Sequence, residues 1–595
     1  MATVTDILTL DNFASKMPSW APELPNHLYA LVDMGRVMVL DSDPGACSNG
    51  IRFSISDLSP PEARLLKCLY RERAAISLFD ALNASSSSGP RLFPPEVITQ
   101  VSQTLARFKS IADEFGVPSD HISVFATEAM RTADNAASML DAILAASGLG
   151  VHVLAPEVET LFGAVGARSG FADVNGLFLD LGGGSVQMTY VNSSTRDYAT
   201  RAAQTGKSLP FGAAKLMAIL GSGDKKAQVS AVDDLQAGMR DAFSKLQQEF
   251  PPLKATQSSP SDGIDIYLCG GGFRGYGSML MHCDPIQPYP ISAVGAYTVD
   301  GSFFKKTRDM RRMNTEYDGE IFGMSNRRRQ QFPAIATVVE ALIDAVPRIR
   351  TVTFCSGGNR EGALMMKLPD EVREASPLPL LHTGDKLSSE IMLALMDTLQ
   401  SALPTSVDFS NISTVFTLGL GQLFASEIWT RAGEPSEANA AYELHQAITR
   451  NPTLPGFTHL ARSVLGLTLC FRWGANLAPV DRQLYTNLRR LVNKMNPEAI
   501  FWAEYIGAVA SLLAEVCPTV PETSQRLASA VHFSARMKNG KNKVKLQLTV
   551  SLSPALCQAL DPQDIAGSFK KVWKYQDDAG TSPPKVEIIV QKMQS

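Results

Sequence analysis

Residues 176–191 read GLFLDLGGGSVQMTYV, an apolar strand that ends in an acid, turns on three glycines and returns as a second strand. Because Gly182, Gly183 and Gly184 lack side chains, backbone N–H groups in this turn can approach and surround an anion. The Asp180 carboxylate repels phosphate, but it can hold Mg²⁺, which bridges to phosphate oxygens. The stretch predicts a β-hairpin with a phosphate site at 182–185 and magnesium at Asp180.

The same arrangement occurs earlier in the chain. LYALVDMG (28–35) ends in an acid and a glycine, and IRFSISDL (51–58) returns as a strand. Strand patterns at 122–126 and 151–155 bracket a helix near 136–146, and this alternation is typical of an α/β domain with buried parallel strands. Two copies of such a unit that face each other would enclose a cleft.

The C-terminal third of the chain has a different character. Residues 380–520 show helical Leu, Ala and Met stripes without Gly-rich strand ends. After them come an Asn539-Gly540 turn, an alternating strand from Val544 to Leu552, a helix over 562–575 and a strand over 585–591, which predict a small α+β domain. For the basic run RMKNGKNKVK (536–545), a solvated hairpin tip is favoured over a ligand site. The predicted organisation is an N-terminal extension (1–27), a first lobe (28–156), a second lobe (157–370), a helical domain (371–525) and the α+β domain (526–595).

Composition narrows the class of protein. The formal charge of -4 gives no general attraction to nucleic acid or to membranes. The eight cysteines form no metal-type or redox-type pair, which favours reduced thiols in the cytosol. The N-terminus lacks the features of a secretory signal, and we expect no apolar segment of about 20 residues. These features predict a cytoplasmic protein with neither a membrane nor nucleic acid as a direct partner.

Residues 28–370 carry a set of ordered motifs. They are VDMG with SNGIRFSI, VFATEAMRTADN, LAPEVETLFGA, FLDLGGGSVQM, SLPFGAAKL, LCGGGFRGYG, FPAIATVVEAL and FCSGGNREGALM. In this order they resemble the exopolyphosphatase and guanosine pentaphosphatase family, most of all a fungal branch that relays mitochondrial status to nuclear transcription. The resemblance implies a pair of ribonuclease-H-like lobes, as in the actin-like ATPase and sugar kinase superfamily, followed by the helical and α+β domains.

The resemblance also implies roles for particular residues. The first phosphate loop would consist of Asp33, Gly35, Ser48, Asn49 and Gly50, and the second of Asp180 to Ser185. Asp180, with Asp33, would hold Mg²⁺, and Arg131 would bind phosphate through its planar guanidinium group. Gly270, Gly271, Gly272 and Arg274 would lie on the base or distal-phosphate side, with a purely structural turn as the equal alternative.

Glu159 matches the position of the family's catalytic glutamate. In that role it would orient or deprotonate a water molecule that attacks the terminal phosphorus. The alternative is a first-turn glutamate that interacts favourably with the helix dipole. The sequence favours the catalytic interpretation over the structural one.

Two departures from the family pattern bear on function. Twelve residues, 36–47, interrupt the first phosphate loop, and their removal would leave the continuous motif VDMGSNGIRFSI. A real insertion would displace the loop amides, whereas a retained intron or gene-model error would leave them in place; both interpretations stay open. In the helical domain, which resembles a degenerate HD phosphohydrolase domain, none of the eight histidines is followed by Asp, and His445 and His459 are expected to be surface or packing residues.

The motifs and the resemblance are compatible with two functions. The favoured one is a cytoplasmic sensor in mitochondria-to-nucleus signalling that binds a nucleotide (ATP or guanosine polyphosphate) or polyphosphate with Mg²⁺ and contacts cytoplasmic transcriptional regulatory proteins. The alternative is an active exopolyphosphatase or guanosine pentaphosphate phosphohydrolase. Both need the phosphate loops, but only the enzyme needs Glu159 beside a water molecule. Whether the protein forms a homodimer stays open.

Overall fold

The chain folds into two compact units. A computed structural model describes residues 7–17, 20–34, 50–83, 90–258, 262–381, 387–407, 412, 414–539, 544–572 and 584–593. Unit 1 comprises residues 1–283 and 293–375, and unit 2 comprises residues 284–292 and 376–595. Gly35, Ser48 and Asn49, the segment 36–47, and Gly540 of the predicted turn lie outside the described residues.

The strands are distributed over three sheets. In chain order they are β1 (Ile7–Leu8), β2 (Leu28–Asp33), β3 (Ile51–Asp57), β4 (Lys67–Ala74), β5 (Ile122–Ala126), β6 (Val151–Leu154), β7 (Asn175–Leu181), β8 (Val186–Asn192), β9 (Lys207–Leu209), β10 (Ile264–Cys269), β11 (Thr298–Asp300), β12 (Ile349–Phe354), β13 (Val531–Asn539), β14 (Val544–Leu552) and β15 (Lys585–Lys592).

Helices connect and cover these strands. In unit 1 they are α1 (Phe13–Lys16), α2 (Leu78–Asn83), α3 (Pro95–Glu114), α4 (Glu128–Thr132), α5 (Ala136–Ser147), α6 (Pro156–Arg168), α7 (Tyr198–Thr205), α8 (Ala213–Leu220), α9 (Lys225–Glu249), α10 (Pro251–Ser258), α11 (Gly270–His282), α12 (Gly301–Phe304), α13 (Thr307–Glu316), α14 (Asn326–Ala345), α15 (Asn359–Lys367) and α16 (Asp370–Arg373). In unit 2 they are α17 (Ser389–Gln400), α18 (Gly421–Glu427), α19 (Ser436–Thr449), α20 (His459–Arg472), α21 (Pro479–Met495), α22 (Pro497–Val516), α23 (Ser524–Ala530), α24 (Pro554–Ala559) and α25 (Pro562–Phe569).

The first sheet of unit 1 has the strand order β1-β6-β5-β2-β3-β4. Strands β2, β3 and β4 form an antiparallel meander, whereas β5 runs parallel to β2, and β6 parallel to β5. Apolar residues of β2 and β3 alternate into a core covered by α3 and α5. The N-terminal extension adds β1 beside β6, and the Trp20 indole donates to the Leu58 carbonyl at 2.8 Å.

The second sheet repeats this plan in the order β11-β12-β10-β7-β8-β9. Strands β7, β8 and β9 form the antiparallel meander, and β10 and β12 continue in parallel on the other side of β7. The shared order of five strands, third-second-first-fourth-fifth, is that of the ribonuclease-H-like fold, and its duplication confirms the predicted fold class. The third strand of each meander, β4 and β9, was not predicted, because neither carries a clear apolar alternation.

Unit 2 contains the helical region and the small α+β region. Helix α22 packs against α20 and α21 in its core. Among the described residues, α22 has the length and composition of a membrane span, with a mean hydropathy of 1.5, so the expectation of no such segment is wrong. Inside the fold, 83% of its most apolar window is buried.

The α+β region is a sheet of order β13-β14-β15, in which β14 is antiparallel to β13 and parallel to β15. The predicted helix over 562–575 is shorter than expected, because α25 ends at Phe569. The described residues of the protein include no cluster of three or more His, Cys, Asp or Glu side chains suited to a metal ion. His445 is exposed beside Asp481, and His459 is buried against Tyr289, so both histidines have ordinary packing or surface contacts.

Candidate phosphate site

Two carboxylates stand at equivalent places in the two sheets of unit 1. Asp33 is the last residue of β2, and Asp180 is the penultimate residue of β7. Each strand is the first of its meander and lies at the centre of its sheet, so duplication of the fold places both acids at the carboxyl ends of parallel strands. Asp33 is 4% exposed and Asp180 is 7% exposed. Both are buried polar groups that require compensation.

In the glycine turn between β7 and β8, the carbonyl groups are hydrogen-bonded to a neighbouring helix, whereas two of the amides are available to a ligand. The carbonyls of Gly182 and Gly183 accept hydrogen bonds from the first amides of α8, at 2.9 to 3.1 Å. The amides of Gly183 and Gly184 donate to no acceptor in the described part of the chain, and both residues are half-buried. The hydroxyl of Ser185 accepts from the Gln187 amide at 3.0 Å. The turn therefore presents backbone donors, as an anion site needs.

Gly270 to Gly272 open α11 directly beside Asp180. Gly270 has φ of +86°, and a Cβ placed on it would lie 2.5 Å from Asp180 Oδ1. A Cβ on Gly272 would lie 2.5 Å from the Leu181 side chain. All three glycines are buried, so they allow α11 to approach the end of β7. Their predicted contact with a ligand stays a prediction.

Gly50 has a comparable packing role on the first lobe. It is buried, and a Cβ on it would overlap the carbonyl oxygen of Ala74 on β4. The absence of a side chain therefore lets the start of β3 lie against β4. Of the predicted first phosphate loop, the structure describes only Asp33 and Gly50.

Four guanidinium groups from both lobes surround this region. Arg52 lies on β3 and is 4% exposed, and its Nε and Nη2 contact no acceptor within the described residues. Burial lowers the pKa of the Arg52 guanidinium well below its usual range. Three further positive charges lower that pKa again, those of Arg360, Arg274 and Arg73, whereas the carboxylate of Asp33 opposes them. Arg52 is thus a buried cation beside three like charges and one carboxylate, a costly arrangement without a further anion.

Arg274 brings the second carboxylate into the same charge cluster. Its side chain is 3% exposed and donates to the Cys355 carbonyl at 3.3 Å, whereas its Nε and Nη2 have no acceptor in the described structure. Burial lowers the pKa of the Arg274 guanidinium, and the negative charge of Asp180 partly restores it. The cluster therefore extends from Asp33 on the first lobe to Asp180 on the second.

Glu361 supplies a further acid, half-buried at the start of α15. Burial by itself would raise the pKa of this carboxyl, but the charges of Arg360 and Arg71 hold it below its usual value. Glu361 also accepts a hydrogen bond from the Gly358 amide at 3.0 Å. Since Arg71 lies on β4 and Glu361 on α15, this interaction couples the two lobes electrostatically.

The predicted catalytic residue Glu159 and the predicted phosphate-binding residue Arg131 contact each other. Arg131 Nη2 lies 3.2 Å from Glu159 Oε2, and Arg131 Nη1 donates to the Leu154 carbonyl. Glu159, Asp180 and Gln187 line a cavity of ≈ 20 Å³. A cavity of this size holds about one water molecule. The geometry places a carboxylate, a held arginine and space for a water molecule beside the end of β7.

Sequence reasoning identified the acids, the glycine turn and Arg274 but did not select Arg52, Arg73 or Arg360 as site residues. One feature of the sequence could have pointed to Arg52. Arg52 interrupts the apolar strand IRFSISD at a position between Ile51 and Phe53, where both neighbours are fully buried. A charged residue inside a strand that is buried on both faces usually has a polar partner or a functional role.

The residues present fit a magnesium ion only together with a phosphate ligand. Asp33 and Asp180 are hard oxygen donors, which Mg²⁺ prefers, but the described residues include no group of three acids or histidines that would hold an ion alone. Protein sites for Mg²⁺ commonly use one or two carboxylates and complete the coordination with phosphate oxygens and water. The carboxylates of Asp33 and Asp180 form a donor set of this kind.

The duplicated lobes with an acid at each central strand end define a two-lobed protein of the actin-like ATPase fold. Residues 58–371 match the Ppx/GppA phosphatase family, and residues 378–591 match the RTG2 C-terminal domain. The chain therefore belongs to the Ppx/GppA phosphatase family.

Individual relatives are similar over different extents. Retrograde regulation protein 2 of Saccharomyces cerevisiae is 30% identical over 484 residues, which are 79% of this chain and 80% of that protein. A solved Ppx/GppA enzyme of Aquifex aeolicus is 19% identical, with a TM-score of 0.41, over 57% of this chain and 99% of that one. An exopolyphosphatase of Cytophaga hutchinsonii is 20% identical, with a TM-score of 0.41, over 59% of this chain and 100% of that one.

Proposed function

We propose that this chain is a cytoplasmic signalling protein of mitochondria-to-nucleus retrograde regulation that binds the phosphate chain of a nucleotide or of polyphosphate, with Mg²⁺, between the lobes of unit 1. ATP and a guanosine polyphosphate are the nucleotide candidates. The partners would be cytoplasmic transcriptional regulatory proteins. The signalling role is supported by the name of the yeast relative, retrograde regulation protein 2.

The observation that carries the phosphate site is the buried cation of Arg52. Its guanidinium lies near three other arginines, and its Nε and Nη2 lack acceptors in the described structure. A bound phosphate chain would supply the missing acceptors and the negative charge, since guanidinium groups bind phosphate oxygens bidentately. The outward amides of Gly183 and Gly184 would donate to the same ligand.

Two carboxylates in an anion site would repel the ligand unless a cation lay between them. Mg²⁺ would neutralise this repulsion and bridge phosphate oxygens, with Asp180 and Asp33 as its protein ligands. Because the arginines come from both lobes, a bound phosphate chain would favour the closed arrangement of the lobes. A ligand shifts such an equilibrium by its difference in affinity for the two states, and bond cleavage is not required.

Calorimetry on the purified full chain tests the site, with ATP, guanosine tetraphosphate and polyphosphate, each with and without Mg²⁺. We expect at least one of the three to bind only with Mg²⁺, and Asp180→Ala to lose that binding while its thermal unfolding midpoint stays close to that of the wild type. Asp173→Ala, which removes an exposed acid just before β7, is the matched control and should bind normally. Equal ligand affinity for Asp180→Ala and wild type would exclude the site.

A second function, phosphoanhydride hydrolysis, is favoured by one observation. The cavity between Glu159 and Asp180 has room for about one water molecule next to a carboxylate that an arginine holds in place. A positioned glutamate that accepts a proton from such a water molecule is the general base of phosphoanhydride hydrolysis. Slow hydrolysis is compatible with signalling, whereas fast phosphate release from all three ligands would favour an exopolyphosphatase or guanosine pentaphosphate phosphohydrolase.

A further inference from the structure

Three lysines stand side by side on the small sheet of unit 2, far along the chain from the phosphate-site residues. Lys538 on β13 pairs directly with Lys545 on β14, and Lys545 pairs with Lys585 on β15. Residues paired in this way project from the same face of a sheet. With strands about 4.8 Å apart, the backbone positions of the three lysines form a row roughly 10 Å wide.

The end of the face that carries this row is exposed and mostly basic. Lys538, Lys585 and Arg536 are exposed, and the Lys545 side chain is 43% exposed. Glu587 is the only acid among the described strand residues of this face, and it lies 3.7 Å from Lys545. We call this face, formed by Arg536, Lys538, Lys545 and Lys585, the lysine face.

The opposite face of the sheet supplies the stability of the region. Leu546, Leu548 and Val550 of β14 are fully buried there, together with Phe533 of β13. Like charges directly opposite each other in a sheet are destabilising. The lysine row therefore destabilises the sheet, and the apolar core on the other face does not depend on it. A row of like charges that costs stability is typical of a binding surface.

Edge strands often carry lysine to prevent aggregation, but that explanation covers only part of the row. Lys538 and Lys585 lie on the two edge strands, where a charge discourages pairing with another chain. Lys545 lies on the central strand, which has no free edge, and its side chain is aligned with the other two. An anion that contacts all three is the simplest reason for the alignment.

We propose that the lysine face binds an acidic segment of a partner protein, a stretch rich in glutamate or aspartate. The occupant follows from charge complementarity, since the face presents four cations and one acid within two cross-strand rows. Ser534 of the same face is exposed and offers a hydrogen bond to an extended peptide, whereas Gln547 is buried and holds Arg536 by accepting from it at 2.8 Å. Such a contact serves partner recognition and is independent of the phosphate site.

A single-stranded nucleic acid is disfavoured by the chemistry of the same face. Sheets that bind single strands stack bases on exposed aromatic side chains. The described outward residues of β13, β14 and β15 include no Phe, Tyr or Trp; besides the cations and Glu587 they are His532, Ser534, Gln547, Thr549, Ser551, Ile589 and Gln591.

Fluorescence anisotropy with the full-length protein tests the proposal. The probe is a fluorescein-labelled 12-residue peptide of alternating Glu and Ser, and the control probe has Gln in place of every Glu. A second comparison probe is a labelled single-stranded oligonucleotide of 12 nucleotides. The variant is Lys538→Gln/Lys545→Gln/Lys585→Gln. Its charge-matched control is Lys225→Gln/Lys226→Gln/Lys306→Gln, which removes three exposed lysines from unit 1.

We expect wild type and the unit 1 control to bind the Glu peptide and the variant of the lysine face to bind it at least tenfold more weakly. Binding should weaken as salt rises from 50 to 300 mM, because exposed ion pairs are screened. The face variant should melt at the same temperature as wild type or slightly above, since it removes repelling charges. Equal peptide affinity for face variant and wild type, equal losses in both triple variants, equal binding of the Gln peptide, or tighter binding of the oligonucleotide would each overturn the proposal.

Discussion

Asp33 and Asp180 owe their common position to the duplication of one strand order, and their chemistry to the charges around them. A carboxylate at a buried strand end, followed by glycine, is a local pattern, so both acids were found from the sequence alone. Of the four arginines that face them, only Arg274 was a candidate from the sequence, because Arg52, Arg73 and Arg360 come from other elements of the two lobes. Only the fold brings those charges together.

Glu159 is the residue at which signalling and catalysis can be separated. It lies in the first turn of α6 with Glu157, so both acids interact similarly with the helix dipole. Only Glu159 pairs with Arg131 and lines the cavity beside Asp180. A comparison of variants at the two positions therefore separates the interpretations. A structural role at the helix start would be shared by Glu157, whereas a catalytic role would belong to Glu159 alone.

We expect Glu159→Gln to retain affinity for the Mg²⁺–phosphate ligand, because Gln keeps the size of Glu and is compatible with the helix. Any hydrolysis should fall by about 10²-fold or more, since the proton acceptor is lost. Glu157→Gln should change neither quantity. Phosphate release and calorimetry on both variants measure the two effects. Equal hydrolysis rates for wild type and Glu159→Gln would leave Glu159 with a structural role.

At the scale of elements, the crossing of α6 and α15 positions the catalytic candidate relative to the charge cluster. Helix α6 carries Glu159 near its start, and α15 carries Arg360 and Glu361 near its own. The helices approach closely, since a Cβ on Gly362 would overlap the Phe162 carbonyl and one on Gly166 would overlap the Gly358 carbonyl. The small residues at this crossing fix the distance between the two helices.

We expect Gly362→Ala to destabilise unit 1 by about 1–3 kcal/mol, the usual cost of overpacking, and to weaken phosphate-ligand binding by moving α15. The matched control is Gly567→Ala on α25, where nothing lies within 4 Å of the added methyl group. That change should stabilise the protein by about 0.5–1 kcal/mol, because alanine favours helix more than glycine. Urea unfolding of both variants provides the measurement. An unchanged free energy of unfolding for Gly362→Ala would show that the crossing can relax.

At the scale of the whole molecule, the two units are not continuous segments of the chain. Residues 284–292 lie within the second lobe in sequence, but they belong to unit 2. There Tyr289 Oη lies 2.8 Å from His459 Nδ1, and the Asn487 amide donates to the Pro288 carbonyl at 2.8 Å. Asp284 lies 3.7 Å from Lys494. The predicted boundary at 370/371 assumes that each domain is one continuous segment of the chain. It therefore places residues 284–292 in the second lobe.

We expect Tyr289→Ala to destabilise unit 2, by about 2–3 kcal/mol, because it removes an aromatic ring and a partly buried hydrogen bond from that unit. Three of the four tryptophans among the described residues lie in unit 2, at positions 429, 473 and 502, so tryptophan fluorescence during denaturation reports mainly on that unit. Tyr317→Ala, at a partly exposed position of unit 1, is the control and should leave the fluorescence transition unchanged. A transition for Tyr289→Ala that coincides with that of wild type would contradict the assignment of 284–292 to unit 2.

Local sequence patterns were enough to predict the repeated strand-acid-glycine arrangement, the two α/β lobes, the helical region and the small α+β region. These features follow from apolar periodicity and turn chemistry, which act between residues a few positions apart. The tertiary structure alone decided the arginine cluster, the pairing of Arg131 with Glu159, the aligned lysines of the small sheet and the discontinuous second unit. Each of these depends on residues distant in the chain, and their proximity is set by sheet register and helix packing, which no local pattern encodes.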